Sequence, residues 1–231
     1  MTVTWRYAAL AVRLLAVASA AIGLIRLTGL FGGGEVSAAF TFYTTQSNIL
    51  CLLWMALLAV VTVKDIVRFG PRGLSAPAPR WGAAVMMAIT VTMLIYLVIL
   101  APAAFQQAGS AYVPFTLTDD LVHIITPCLV IFDWFLFTPK GKLHWFDPPC
   151  WAGLPYAYLA FAFTWSALGG DFGSGRRYPY AFMDVQAYGV GGVAVQILIL
   201  TVSLEAFGYL YVVADKTLAR VARKRAAQQP A

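Results

Sequence analysis

Two stretches of this chain carry residue types able to do chemistry. In the first, Asp119, Asp120 and His123 open a long apolar segment, with Pro127 following one turn after the histidine. On a helix both acids share the face of His123, four and three residues before it. Pro127 withdraws the amide that would bond the His123 carbonyl. An acid at the centre of a membrane helix costs about 2.5–3.5 kcal/mol on insertion scales, and less near an end. A segment that keeps two of them beside an imidazole is therefore a candidate site. In the second stretch, Thr41, Thr44, Asn48 and Cys51 recur at spacings of three and four and form one polar stripe. Such residues also serve membrane helices as hydrogen-bond glue, at about 0.6 kcal/mol each, and the stripe fits either use.

The two stretches meet in depth. Thr44 lies about five residues into its apolar segment and His123 about four, which places both roughly 6–8 Å below the outer helix ends. A hydroxyl, an imidazole and carboxylates at one level make up a nucleophile, a base and an orienter. His123 would take the Thr44 proton, and Asp119 or Asp120 would fix its tautomer. Asn48 or Tyr178 would donate to a developing oxyanion, with Asp184 arriving at the same level from a later loop. Next to Tyr178, Arg176 and Arg177 suit a carboxylate or phosphate head group, or else snorkel from a solvated loop.

The elements that must position these residues follow from composition. The chain has 231 residues, 61% hydrophobic and only 11% charged, which excludes a soluble domain. Six apolar segments at about 7–30, 39–63, 81–101, 119–137, 150–168 and 188–213 predict an all-α fold with six transmembrane helices. They form one domain over 1–231, with a basic tail at 214–231. The net charge of +6 is segregated. Arg6, Lys64, Arg68, Arg72, Arg80, Lys140, Lys142 and the basic residues of the tail share one side, which predicts both termini in the cytoplasm. This distribution points to membrane lipids as partners and away from nucleic acid. Three cysteines supply no disulfide framework, and the two histidines fall on opposite sides, so no metal or cofactor is expected. The N-terminal run imitates a signal peptide, but its length and Arg13 favour a retained first helix.

Further expectations concern single residues. Arg13 and Arg26 should snorkel toward the interfaces, Thr118 should cap the fourth span, and Asp133 should pair with Lys140 or Lys142. Gly32, Gly33 and Gly34 read as a turn. The glycine-rich stretch 169–184 should fold over the bundle mouth as a lid.

The Phe42-Tyr43-Thr44, Ser47-Asn48, His123, Pro127, Asp133-Trp134 and Tyr178-Pro179-Tyr180, Phe182, Asp184 motifs resemble those of a bacterial family of six-helix membrane proteins, nearly along the whole chain. More distantly the chain resembles the animal androgen-induced membrane proteins, threonine-type hydrolases of fatty acid esters of hydroxy fatty acids. That resemblance gives Thr44 the nucleophile role and His123 the base role, while the one to the bacterial family implies a multi-pass protein of a bacterial inner membrane. Ser47-Asn48 and the spacing from His123 to Pro127 depart from the animal pattern. The expectation is an intramembrane lipid-ester hydrolase. Its rival is a non-enzymatic carrier or lipid-binding bundle with a structural polar stripe.

Overall fold

A computed structural model describes residues 2–32, 36–73, 76–106 and 112–228. Within these the chain is helical, with a single isolated bridge, Trp5 to Arg72, in place of any strand. The helices are α1 (Arg6–Thr28), α2 (Tyr43–Phe69), α3 (Pro79–Gln106), α4 (Leu117–Phe137), α5 (Asp147–Trp151), α6 (Gly153–Ala167) and α7 (Val185–Ala227). A one-turn helix, Val36–Ala39, precedes α2.

Five of these, α1 to α4 and α7, are long and apolar enough to cross a membrane. The predicted fifth span is instead divided at Ala152 into α5 and the 15-residue α6. Pro148 and Pro149 start α5, and Pro155 falls in the first turn of α6, where a missing amide costs no helical bond. The second span also begins later than its apolar run suggests. Thr41 lies outside α2, in a turn where its hydroxyl donates to the Ala38 carbonyl. The stripe along α2 therefore starts at Thr44. Gly29 ends α1 with a φ of 63°, which favours glycine. Gly33 and Gly34 of the predicted turn, and 229–231 of the tail, lie outside the described residues.

Helix α1 packs along α2 and against α4, and α3 closes the other side of α2 and α4. Gly23 allows the close approach of α1 to α4, because a Cβ there would stand 2.7 Å from Val122 Cγ1. Helix α7 is more peripheral. It bends at Gly189 and leaves Leu198, Ile199 and Val202 exposed, as suits a lipid-facing wall.

Two expectations about charges are corrected here. Arg13 does not snorkel, since it points into the bundle and is 1% exposed. Its Nε donates to Asp133 Oδ1 at 2.8 Å and its Nη2 to Oδ2 at 3.3 Å, while Nη1 donates to the Leu58 carbonyl and the Thr62 hydroxyl. Asp133 therefore pairs with Arg13 rather than with Lys140 or Lys142. A buried guanidinium needs a fork of acceptors to offset its lost hydration, and α2 and α4 supply them together. Lys140 instead donates to the Trp134 and Thr138 carbonyls and lies over the Trp134 ring. Arg26 does extend outward, and its Nε reaches Thr118 Oγ1 at 3.1 Å.

Candidate active site

Both stretches of chemical interest sit at the same end of the bundle, and a local distortion brings them together. Helix α4 contains a π-helical turn, Leu121–Ile125, in which the Thr126 amide reaches five residues back to the Leu121 carbonyl. In that register Pro127 would have bonded Val122, and having no amide it leaves the Val122 carbonyl without a helical donor. Asn48 of α2 fills the gap. Its Nδ2 donates to the Val122 carbonyl at 3.0 Å and to the Thr44 carbonyl at 2.8 Å. Both partners are acceptors only, so the amide orientation is fixed by chemistry. The Asn48 NH₂ is thus spent on backbone and is not aimed at an oxyanion.

The π turn carries His123 into contact with α2. Its Nε2 lies 3.3 Å from Thr44 Oγ1, and its Nδ1 lies 3.2 Å from the Asp119 carbonyl oxygen. A carbonyl only accepts, so Nδ1 carries the proton and Nε2 presents a lone pair to the Thr44 hydroxyl. The ring plane is held by Tyr96, stacked on it at 4.1 Å with 6° between planes. Tyr96 itself belongs to a second π turn, Tyr96–Leu100 in α3, and its hydroxyl accepts from the Phe115 amide. Thr44 and His123 are 8% and 6% exposed, so bulk water does not compete strongly for this pair.

Asp119 has two functions. Its carboxylate faces Nδ1 at 3.9 Å, a charge beside the ring but too far for a direct bond. The same carboxylate completes a capping box with Thr116, the actual N-cap of α4, so Thr118 does not cap the helix. The Tyr112 hydroxyl donates to it as well, at 2.9 Å. Burial, and then the adjacent carboxylate, push the Tyr112 phenol up, which keeps it a donor.

The other predicted residues land differently. Asp120 is half-buried and makes no hydrogen bond to the ring among the described residues. Tyr178 is half-buried and packs on Phe163 at 6.3 Å. Asp184 accepts from the Gln186 and Ala187 amides as the N-cap of α7. Arg176 donates to the Gly173 and Phe172 carbonyls and lies over Phe42, 5.4 Å from its ring centre. Arg177 is exposed. Asp184 and the two arginines therefore do not converge on Thr44.

The 169–184 segment does cover the bundle mouth, through aromatic side chains. Phe172 and Met183 are fully buried, and Phe42 meets Phe172 and Tyr180 edge-on at 6.2 and 6.1 Å. Tyr180, not Tyr178, stands by the pair: its ring packs against Tyr158 at 6.3 Å, and its phenol is near enough to Thr44 to feel that residue's dipoles. Burial pushes the Tyr180 phenol up, so it stands by Thr44 as a neutral hydroxyl. Sequence reasoning passed over Tyr180, Tyr96, Tyr112 and Gly23. The Tyr178-Pro179-Tyr180 turn offered two tyrosines and no local rule to choose between them, and for the π turns the sequence offered only the proline two residues past each, Pro102 and Pro127.

In sum of chemistry, a threonine hydroxyl donates to an imidazole whose far nitrogen is anchored, beside a neutral phenol. No group of three or more His, Cys, Asp or Glu residues among those described is placed to hold a metal ion. No family model, curated protein or solved structure matches the chain.

Proposed function

We propose that the protein is a membrane-embedded ester hydrolase acting on lipid esters, with Thr44 as nucleophile and His123 as general base. The observation that carries this reading is the 3.3 Å contact between Thr44 Oγ1 and His123 Nε2, with Nδ1 anchored on the Asp119 carbonyl. Thr44 Oγ attacks the ester carbonyl carbon as its proton passes to Nε2. The carbonyl oxygen becomes an oxyanion that the Tyr180 hydroxyl stabilises. Collapse breaks the bond to the alkoxy oxygen, which leaves as the alcohol with the proton from Nε2. Water then attacks the acyl-Thr44 ester, giving its proton to Nε2, and the acid leaves as Thr44 recovers its hydrogen. In both steps the Asp119 carboxylate favours the transient imidazolium.

The proposal includes a topology of six crossings, in which α5 and α6 together make the fifth. Both termini are cytoplasmic, and the protein lies in a bacterial inner membrane with the Thr44 end outward. The likeness to the androgen-induced hydrolases is part of this reading and rests on the motifs around Thr44 and His123. A reporter active only after export, fused to the C-terminus, should remain silent; activity would refute the topology.

A second reading, a non-enzymatic carrier, draws on one observation. Buried polar pairs continue inward from the site, through Ser19 with Thr126 at 2.8 Å and then Arg13 with Asp133. Hydrolysis of a panel of acyl esters by purified protein in nanodiscs separates the two. Thr44→Ala and His123→Ala should each remove at least 99% of turnover, while Thr45→Ala, whose hydroxyl bonds the Ala39 carbonyl, should retain most of it. Folded wild type that turns over no ester supports the carrier.

A further inference from the structure

Beyond Tyr180 the site continues into an apolar groove between α3, α6 and α7. On its wall the rings of Tyr43 and Tyr180 gather around Tyr158, and Pro148 stands against Gly208. Tyr43 and Tyr180 join the two places, since both line the groove and Tyr43 directly precedes Thr44 at the start of α2. Along α7 the lining runs from Ile197 to Gly208, which at 1.5 Å per residue is about 16 Å. That is roughly half of a ~30 Å hydrocarbon core. The outer face of α7 beside it exposes Leu198, Ile199 and Val202, so the groove is flanked by a surface suited to lipid. Besides these tyrosine hydroxyls, its polar points are the Tyr156–Thr201 hydrogen bond at 2.8 Å and Glu205.

From this continuity we infer that the groove takes a single acyl chain of the lipid substrate, entering sideways from the bilayer. The chain's methyl end lies toward Gly208 and its ester lies at Tyr180 and Thr44. The inference rests on the ester-hydrolase reading and adds a specificity to it: the free length below Tyr180 sets which chains fit. Gly208 belongs to the groove's construction, because a Cβ there would stand 2.8 Å from Pro148 Cβ and force α5 and α7 apart at the far end.

Two half-buried lining residues about 10 Å apart on α7, Ile197 and Leu204, provide the test. Leu204→Trp should cut turnover of long-chain esters at least tenfold and leave short-chain esters within twofold of wild type. Ile197→Trp, nearer the tyrosines, should depress both. Leu198→Trp, on the exposed face, should change neither. A Leu204→Trp profile identical to that of Leu198→Trp overturns the groove while leaving the Thr44 chemistry standing.

A binding measurement decides the matter independently of turnover. A phospholipid with a photoreactive group near the end of one acyl chain is incorporated into nanodiscs with wild type and with Thr44→Ala, and adducts are mapped by mass spectrometry. Labelling of the groove should saturate with lipid concentration in both proteins and fall at least fivefold in Leu204→Trp. Labelling that rises without saturation, or equals that on the face of Leu198, marks ordinary surrounding lipid and overturns the inference.

Discussion

The contact between α1 and the π turn of α4 gives the sharpest structural prediction. In Gly23→Ala the new Cβ would stand 2.7 Å from Val122 Cγ1 and 3.2 Å from Leu121 Cβ. Carbon atoms in contact prefer about 3.5–4.0 Å, so the π turn must retreat by about 1 Å. Val122 is fully buried, which leaves the side chain little room to rotate away. Overpacking of this kind costs about 1–3 kcal/mol of stability. The larger effect falls on the site. His123 is one residue after Val122, and its bond to Thr44 is already 3.3 Å long, so a 1 Å retreat carries it past hydrogen-bonding distance. Misplacement by about 1 Å costs on the order of 100-fold in rate. The assay is ester turnover in nanodiscs alongside thermal unfolding in detergent. Gly23→Ala should lose about 100-fold in kcat while still folding. Adding Val122→Ala removes the 2.7 Å contact and should restore most of that loss. The Asn48 bond survives in the double variant because it goes to the Val122 backbone. Turnover of Gly23→Ala within twofold of wild type, or no recovery on adding Val122→Ala, would refute the reasoning.

Four further outcomes are expected. Asp119→Asn should lower kcat by 10- to 100-fold with little change in KM, since the carboxylate 3.9 Å from Nδ1 acts on the imidazolium; its coulombic ceiling is about 4 kcal/mol at an effective dielectric of ~20. Asp120→Asn should stay within threefold in the same kinetic assay. Arg13→Met should lower stability by about 3–5 kcal/mol by stranding Asp133, and the double variant Arg13→Met with Asp133→Leu should recover much of it, as measured by denaturant midpoint. Burial pushes the Lys140 ammonium down to about 8, against the upward pull of Asp215 and Asp133. Between about pH 8 and the ordinary lysine value the unfolded chain binds the extra proton, so stability should rise with pH across that window; Lys140→Met should flatten the slope of Tm against pH.

The sequence revealed most about the parts governed by local rules. Apolar runs marked α1 to α4 and α7, because helix length and hydropathy are local properties. The shared depth of Thr44 and His123 was legible for the same reason. Their contact was not, since it depends on the π turn of α4 and on the missing side chain at Gly23 of another helix. Arg13 and Asp133 stand 120 positions apart, and no spacing rule links them, so snorkelling was the natural expectation for the arginine. Asn48 fell at the site as expected, yet its amide serves a carbonyl freed by Pro127, a relation visible only once the helix register is known. For the Tyr178-Pro179-Tyr180 turn, the direction in which it faces decides that Tyr180 stands by Thr44. Packing fixes that direction.

The central claim, that Thr44 is a nucleophile activated by His123, is tested most directly by trapping its covalent intermediate. Purified protein in nanodiscs is mixed with an activated acyl ester, quenched in acid within the first turnover, and analysed by intact-protein and peptide mass spectrometry. One acyl group should appear per chain, on the peptide carrying Thr44 and at that residue. It should be absent from Thr44→Ala, and its formation should slow at least 100-fold in His123→Ala. An acyl group that maps to any other residue, or an acyl-Thr44 that forms equally fast without His123, would contradict the account.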